Sequence, residues 1–133
     1  RYAIPFYERI SKILHEHGKI LQVHWCGRTK NLLPLIQDCG IDVVEAVTVE
    51  PMDRITIPEV LEKVGENVVI QGGIPSIMMC PQGATREELE EYVRDLLNKV
   101  PLGYRFVLGM SDNVPPDADF YRVKMISDIV NSI

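Results

Sequence analysis

What the chain lacks narrows its class first. Its longest apolar runs fall far short of the ~20 residues a helix needs to cross a bilayer, so no membrane span is expected. A basic excess is missing too: 14 Lys and Arg stand against 19 Asp and Glu, a formal net charge of -5. That argues against a dominant nucleic-acid contact, because neutralising phosphates needs a basic footprint. A small anionic ligand stays open, since one arginine or a helix N-terminus can hold it. Cysteine is scarce and odd in number, with Cys26, Cys39 and Cys80 far apart and no secretion signal ahead of them. No disulfide framework is expected, and a reducing, cytoplasmic setting fits. GxSxG, HExxH and GxGxxG are absent, and no Lys followed by Ser or Thr completes a phosphate loop.

What is present is ordinary globular material: 133 residues, 46% hydrophobic and 25% charged, enough for one domain and too few for two. No linker or low-complexity stretch divides residues 1–133. The chain opens on Arg1 and runs straight into a helical pattern, so it is expected to be a piece of a longer polypeptide.

Apolar periodicity predicts a helix over Tyr2 to Gly18, carried by Ile4, Tyr7, Ile10, Ile13 and Leu14 and stopped by Gly18. Lys19 to Gly27 reads as a strand. A helix opened by Thr29 or Asn31 follows, with Leu32, Leu33, Leu35 and Ile36 as its apolar positions and Gly40 as its end. Ile41 to Val47 is the second strand. Pro58 suits the first turn of a helix running to Gly65. Asn67 to Gln71 is the third strand, closed by a turn at Gly72-Gly73. Thr85 with Glu88 forms a capping-box pattern ahead of Leu89, Tyr92, Val93, Leu96 and Leu97, and Pro101 and Gly103 end that helix. Tyr104 to Gly109 is the fourth strand, and Asp119 caps a last helix through Val123, Ile126, Ile129 and Val130.

A helix followed by four strand–helix units implies an α/β fold with parallel strands and right-handed crossovers. Periodicity alone leaves two architectures open, a small doubly wound sheet or part of a (β/α)8 barrel. Both place active sites at the C-terminal ends of their strands. There this chain carries His24-Trp-Cys-Gly, Glu50-Pro, Gly72-Gly-Ile-Pro and Gly109-Met-Ser-Asp-Asn.

Side chains alternate along a strand, so Gln22, His24 and Cys26 share one face. The Cα atoms of His24 and Cys26 are then roughly 6.5 Å apart. From there an imidazole nitrogen and a thiolate sulfur can meet one ion at about 2.0–2.1 and about 2.3 Å, distances that suit zinc. Two ligands do not complete a site. Asp112 and Cys80 follow strands on the same rim, and Glu45 and Glu50 come from or after the second strand; each reads first as structural or solvent-exposed and only second as the third ligand. Cys39 falls at the opposite rim and reads as packing; His15 and His17 read as surface histidines. Gly72-Gly73 can bring backbone amides up to a substrate anion, although a plain turn explains them as well. Ile77-Met78-Met79 reads as core or as a pocket wall.

Val23-His-Trp-Cys-Gly27, Leu32-Leu-Pro-Leu, Cys39-Gly-Ile-Asp-Val-Val44, Ile70-Gln-Gly-Gly-Ile-Pro75 and Leu108-Gly-Met-Ser-Asp-Asn-Val-Pro-Pro-Asp117 together resemble the uroporphyrinogen decarboxylase and corrinoid methyltransferase superfamily. The resemblance implies the C-terminal half of a (β/α)8 TIM barrel, with the N-terminal half elsewhere. Within that superfamily His-x-Cys looks like the zinc motif of cobalamin-dependent methyltransferases, which implies zinc on His24 and Cys26. The methyltransferase pattern has a further cysteine in the tail; here Asp112 stands nearest that position. The implied chemistry is methyl transfer from a methyl-corrinoid, free or on a corrinoid protein, to a thiol. Alternatives are uroporphyrinogen decarboxylation, or a non-catalytic binding module. Two open sheet edges are expected to make the chain oligomerise or pair with a separate N-terminal half.

Overall fold

A computed structural model describes residues 2–100 and 103–133. Helix α1 spans Ala3–Glu16. Lys19 N–H donates to Leu14 O and Gly18 N–H to His15 O, with Gly18 at φ 64°. That pair of bonds is the glycine stop expected from sequence. The strands are β1 (Gln22–His24), β2 (Val43–Val47), β3 (Val69–Ile74) and β4 (Phe106–Met110). Helices α2 (Ile57–Lys63), α3 (Arg86–Lys99) and α4 (Phe120–Val130) follow β2, β3 and β4.

All pairings are parallel and the four strands lie side by side in sequence order, β1-β2-β3-β4. A doubly wound sheet reverses direction from its first strand; this one never does. Unbroken sequential order is how a (β/α)8 barrel is laid down, so the fold is a partial barrel.

The sheet's two faces separate cleanly. Val23, Val44, Ile70 and Phe106 are in register and point toward the helices; Val44, Ile70 and Phe106 are buried in the main core with Val60, Leu61 and Leu96. One residue further on, His24, Glu45, Gln71 and Val107 form the next row. By alternation this row points to the opposite face, which is the interior side of a barrel.

Three expected elements differ. No α-helix forms after β1; Leu33–Leu35 is one turn of 3-10 helix with Pro34 at its start. Leu33, Ile36 and Cys39 are buried while Leu32 and Leu35 are exposed. That spacing of three is the 3-10 period, and Pro34 supplies no N–H for an α-helical ladder. The first strand is shorter than Lys19 to Gly27, although burial still alternates through Cys26. Gly72 and Gly73 do not turn out of β3; they lie within it, paired with Leu108 and Gly109. Their φ values of 144° and 97° are open to glycine at little cost. A Cβ on Gly73 would sit 2.9 Å from Phe106 Cζ and 3.0 Å from Leu96 Cδ2, so close packing of α3 on the sheet requires its absence.

Both expected caps form. Thr85 Oγ1 accepts from Glu88 N–H at 3.1 Å while Glu88 Oε2 accepts from Thr85 N–H at 2.7 Å. Asp119 Oδ1 accepts from Tyr121 N–H at 3.0 Å. The helix end expected at Pro101 lies outside the described residues. Ile77 is exposed and Met79 buried in a second, smaller core beneath α3 and α4, so that segment divides between surface and packing. Among the described residues no helix is long and apolar enough to cross a membrane.

Candidate metal centre

The row His24–Glu45–Gln71–Val107 forms the floor of the site, and the loops after β1 and β4 form its rim. His24 Nδ1–H donates to Glu45 Oε2 at 2.7 Å. This bond fixes the tautomer and leaves the Nε2 lone pair facing the open side. There Asp112 Oδ1 stands 3.8 Å away. One ligand atom each of His24, Cys26 and Asp112 lies within 4.8 Å of the other two. His24 and Cys26 are exposed and Asp112 is half-buried, so solvent and solutes reach all three.

In a flat sheet the first and fourth strands would be about 14 Å apart. Asp112 follows β4 and His24 ends β1, so their approach reports a sheet that curls and a loop that leans inward over Glu45 and Gln71. Local bonds hold the parts there. Ser111 N–H donates to Ile74 O at 2.8 Å, tying the start of the β4 loop to the end of β3. Asn113 N–H donates to Asp112 Oδ1 at 2.7 Å. Gly27 N–H donates to Thr48 Oγ1 at 2.9 Å, fixing the turn after Cys26 to the end of β2. Trp25, pointing away from the site, packs edge-on against Tyr7 of α1.

Glu45 reaches His24 from a β-bulge. It pairs with Gln71, the next pairing is Val47 with Gly72, and the extra residue, Ala46, sits at φ 64°. Bulges re-aim side chains near functional sites, and a buried alanine in the left-handed region costs of order 1 kcal/mol or more. Tertiary structure imposes that conformation immediately beside the carboxylate that orients His24.

The donor set fits zinc. In a tetrahedral site with bonds of about 2.0–2.3 Å the ligand atoms are roughly 3.3–3.7 Å apart. The 3.8 Å between His24 Nε2 and Asp112 Oδ1 is close to that spacing, and small side-chain rotations bring Cys26 in. A carboxylate on the far nitrogen of a ligating histidine is the outer partner such sites use.

The other candidates fall elsewhere. Cys80 is buried and its thiol donates to Asp117 Oδ1 at 3.4 Å; burial, then the Asp117 bond, push its pKa up, away from the thiolate a metal needs. Asp117 is held below the usual carboxylate range, chiefly by the Gln82 carboxamide. Glu50 lies outside the triad, lining a cleft between α2 and α3 with Tyr92. The Tyr92 hydroxyl donates to Gly73 O at 2.7 Å, and burial pushes its pKa up to about 12. Cys39 packs as expected, its thiol raised by burial. His15 does more than face solvent: its Nε2 meets Asp42 Oδ2 at 2.8 Å, and that same oxygen accepts from Leu21 N–H, on the rim away from the triad.

Thr48 and Gln71 were not singled out by sequence reasoning. Gln71 has a readable signal, since it lies two residues before Gly73 in an apolar strand, where a polar side chain on the barrel-interior side is unexpected. Thr48 has none, because its role depends on contact with Gly27.

Comparison with known proteins agrees with this architecture. The family model described as "Uroporphyrinogen decarboxylase (URO-D)" matches residues 1–133. Proteins named uroporphyrinogen decarboxylase from Tropheryma whipplei, strains Twist and TW08/27, are each 27% identical over 112 residues, which is 84% of this chain. The matched part is 27% of each of those proteins, so the chain spans about a quarter of their length.

Proposed function

We propose, from the premise that this chain belongs to the uroporphyrinogen decarboxylase family, that it carries the zinc site of a protein transferring methyl groups from a methyl-corrinoid to a small thiol. The observation that supports this reading is the convergence of His24, Cys26 and Asp112, backed by Glu45 on the second nitrogen of His24. His24 Nε2, Cys26 Sγ and an Asp112 oxygen would hold the ion. When bound, zinc supplies Lewis acidity that brings a thiol's pKa down toward neutrality.

The chain's own groups prepare that chemistry. Glu45 holds the His24 proton on Nδ1, which turns Nε2 toward the metal position. The Gly27–Thr48 and Ser111–Ile74 bonds fix the two loops that bring Cys26 and Asp112 over the floor. In the overall reaction the S–C bond forms as the Co–C bond breaks. The electron pair of the broken bond stays on cobalt, and the thiol proton leaves to solvent. The corrinoid supplies the reactive methyl; the protein supplies placement.

Elemental analysis of protein purified without chelator or affinity metal tests this. One zinc per chain is expected, falling to background in the His24→Ala, Cys26→Ser double variant; equal zinc in both would refute the assignment. The names of the relatives support a second reading, decarboxylation of uroporphyrinogen. Turnover of uroporphyrinogen by the protein, unaffected by those substitutions, would favour it.

A further inference from the structure

The charge and the unused hydrogen-bonding capacity of the floor define what kind of thiol this site would take. Two carboxylates, Glu45 and Asp112, face the open side. Among the described residues neither is paired with a lysine or arginine; the ion-pair partner of each is His24. Of the nearby cations, Lys30 Nζ is turned to Arg54 O at 2.7 Å, and Arg28, exposed on the turn after Cys26, forms no ion pair with either carboxylate. A divalent ion held by Cys26 thiolate and Asp112 is neutralised by them, so Glu45 leaves the pocket with a negative balance.

Gln71 lies next to Glu45 in register, beneath the loop that carries Asp112 over to His24. It is half-buried, and among the described residues its carboxamide has no hydrogen-bond partner. Its stem passes Gly109, diagonal to it on β4, at ordinary contact distance: a Cβ there would meet Gln71 Cγ at 3.7 Å. The carboxamide is therefore an open donor and acceptor two strands from His24. The backbones are about 10 Å apart, a span that a metal-bound two-carbon thiol and the Gln71 side chain together would bridge.

We infer that the acceptor is a short neutral or cationic thiol, a hydroxyalkyl or aminoalkyl thiol, whose polar end is bound by Gln71, and that this floor discriminates against thiols bearing a carboxylate or sulfonate. The inference rests on the metal reading above. An anionic tail would meet the Glu45 carboxylate, which among the described residues has no lysine or arginine paired to it, and like-charge placement is how a site rejects a competitor of the same size. A hydroxyl or ammonium tail finds the Gln71 carbonyl oxygen as acceptor.

The test uses the purified chain loaded with Co2+, titrated with cysteamine, 2-mercaptoethanol and 2-mercaptoethanesulfonate. Binding is followed by the rise in sulfur-to-cobalt charge-transfer absorption, and cobalt per chain is measured in parallel. Cysteamine and 2-mercaptoethanol are expected to bind about tenfold more tightly than the sulfonate. Gln71→Leu is expected to weaken 2-mercaptoethanol about tenfold with cobalt content unchanged. Gln71→Glu, which keeps the side chain's shape, is expected to tighten cysteamine and weaken the sulfonate further. Equal or tighter binding of the sulfonate, or no response to either variant while cobalt still binds, overturns the inference and leaves the metal reading standing. A chain that takes up no cobalt overturns both.

Discussion

Glu45 makes one short contact, 2.7 Å to His24 Nδ1, and everything expected of His24 passes through it. Removing the charge while keeping the shape, Glu45→Gln, loosens the tautomer and lowers the basicity of Nε2. Zinc affinity is expected to fall about 10–100-fold, read by competition with a chromophoric chelator, while the far-ultraviolet circular dichroism stays as it was. Gly73 makes the opposite case, a residue whose value is the atom it lacks. Gly73→Ala puts a methyl 2.9 Å from Phe106 Cζ at a φ of 97°, and overpacking combined with backbone strain is expected to cost about 2–4 kcal/mol in urea unfolding. Part of this was legible in the residues. Strand alternation alone put His24 and Cys26 on one face, and the rim position of Asp112 followed from its place after a strand. The Glu45 contact was not legible as a pairing, because it depends on which residue of β2 stands beside His24. A bulge at Ala46 sets how that strand continues, and no local pattern announces it.

At the scale of elements, legibility followed how local each signal is. The starts of α3 and α4 could be read because a cap is made by residues two or three apart. Thr85→Ala removes an oxygen that accepts from Glu88 N–H and is expected to cost about 1 kcal/mol, seen as a lower urea midpoint with an unchanged slope. Asp119 caps α4 and also accepts from Arg86 Nη2 at 2.7 Å; the Arg86 bond is the main reason its pKa lies below the usual value. With the folded value below the unfolded one, about 3.9, the group contributes stability above that pH and loses it as pH falls through the depressed value. Asp119→Asn is therefore expected to flatten the dependence of Tm on pH below about pH 4, with little change in its slope near neutrality. The segment after β1 misread as an α-helix because four apolar residues within five positions satisfy a period of 3.6 as well as 3.0. Only burial of Leu33, Ile36 and Cys39 separates the two. The end of β3 misread because Gly-Gly normally marks a turn, whereas here the glycines answer to packing between α3 and the sheet.

At the scale of the whole molecule, sequential strand order fixes the architecture and leaves β1 and β4 with one strand neighbour each. Eight strands close a barrel and four do not, so the interior face stays open and Val107 is 49% exposed on it. Beside the β4 edge runs an apolar groove against α4, lined by Phe106, Leu108, Met110, Val123, Ile126 and Val130. On the other edge Tyr2, just ahead of α1, and Phe6 and Ile13 on it are exposed at spacings of four and seven. Unpaired edges flanked by apolar side chains are templates for another chain. The 133-residue chain is accordingly expected to associate, with a second copy or with a complementary half-barrel, rather than persist as a monomer. Sedimentation velocity across a wide concentration range should show mass rising with concentration. Val123→Asp, at a position 43% exposed on α4, should shift the distribution toward monomer without lowering helix content, because it places a charge in the groove while leaving the core of α4, Ile126 and Ile129, untouched. A monodisperse monomer at every concentration would mean that the curl bringing Asp112 to His24 already protects both edges, and that the site needs no partner to close it.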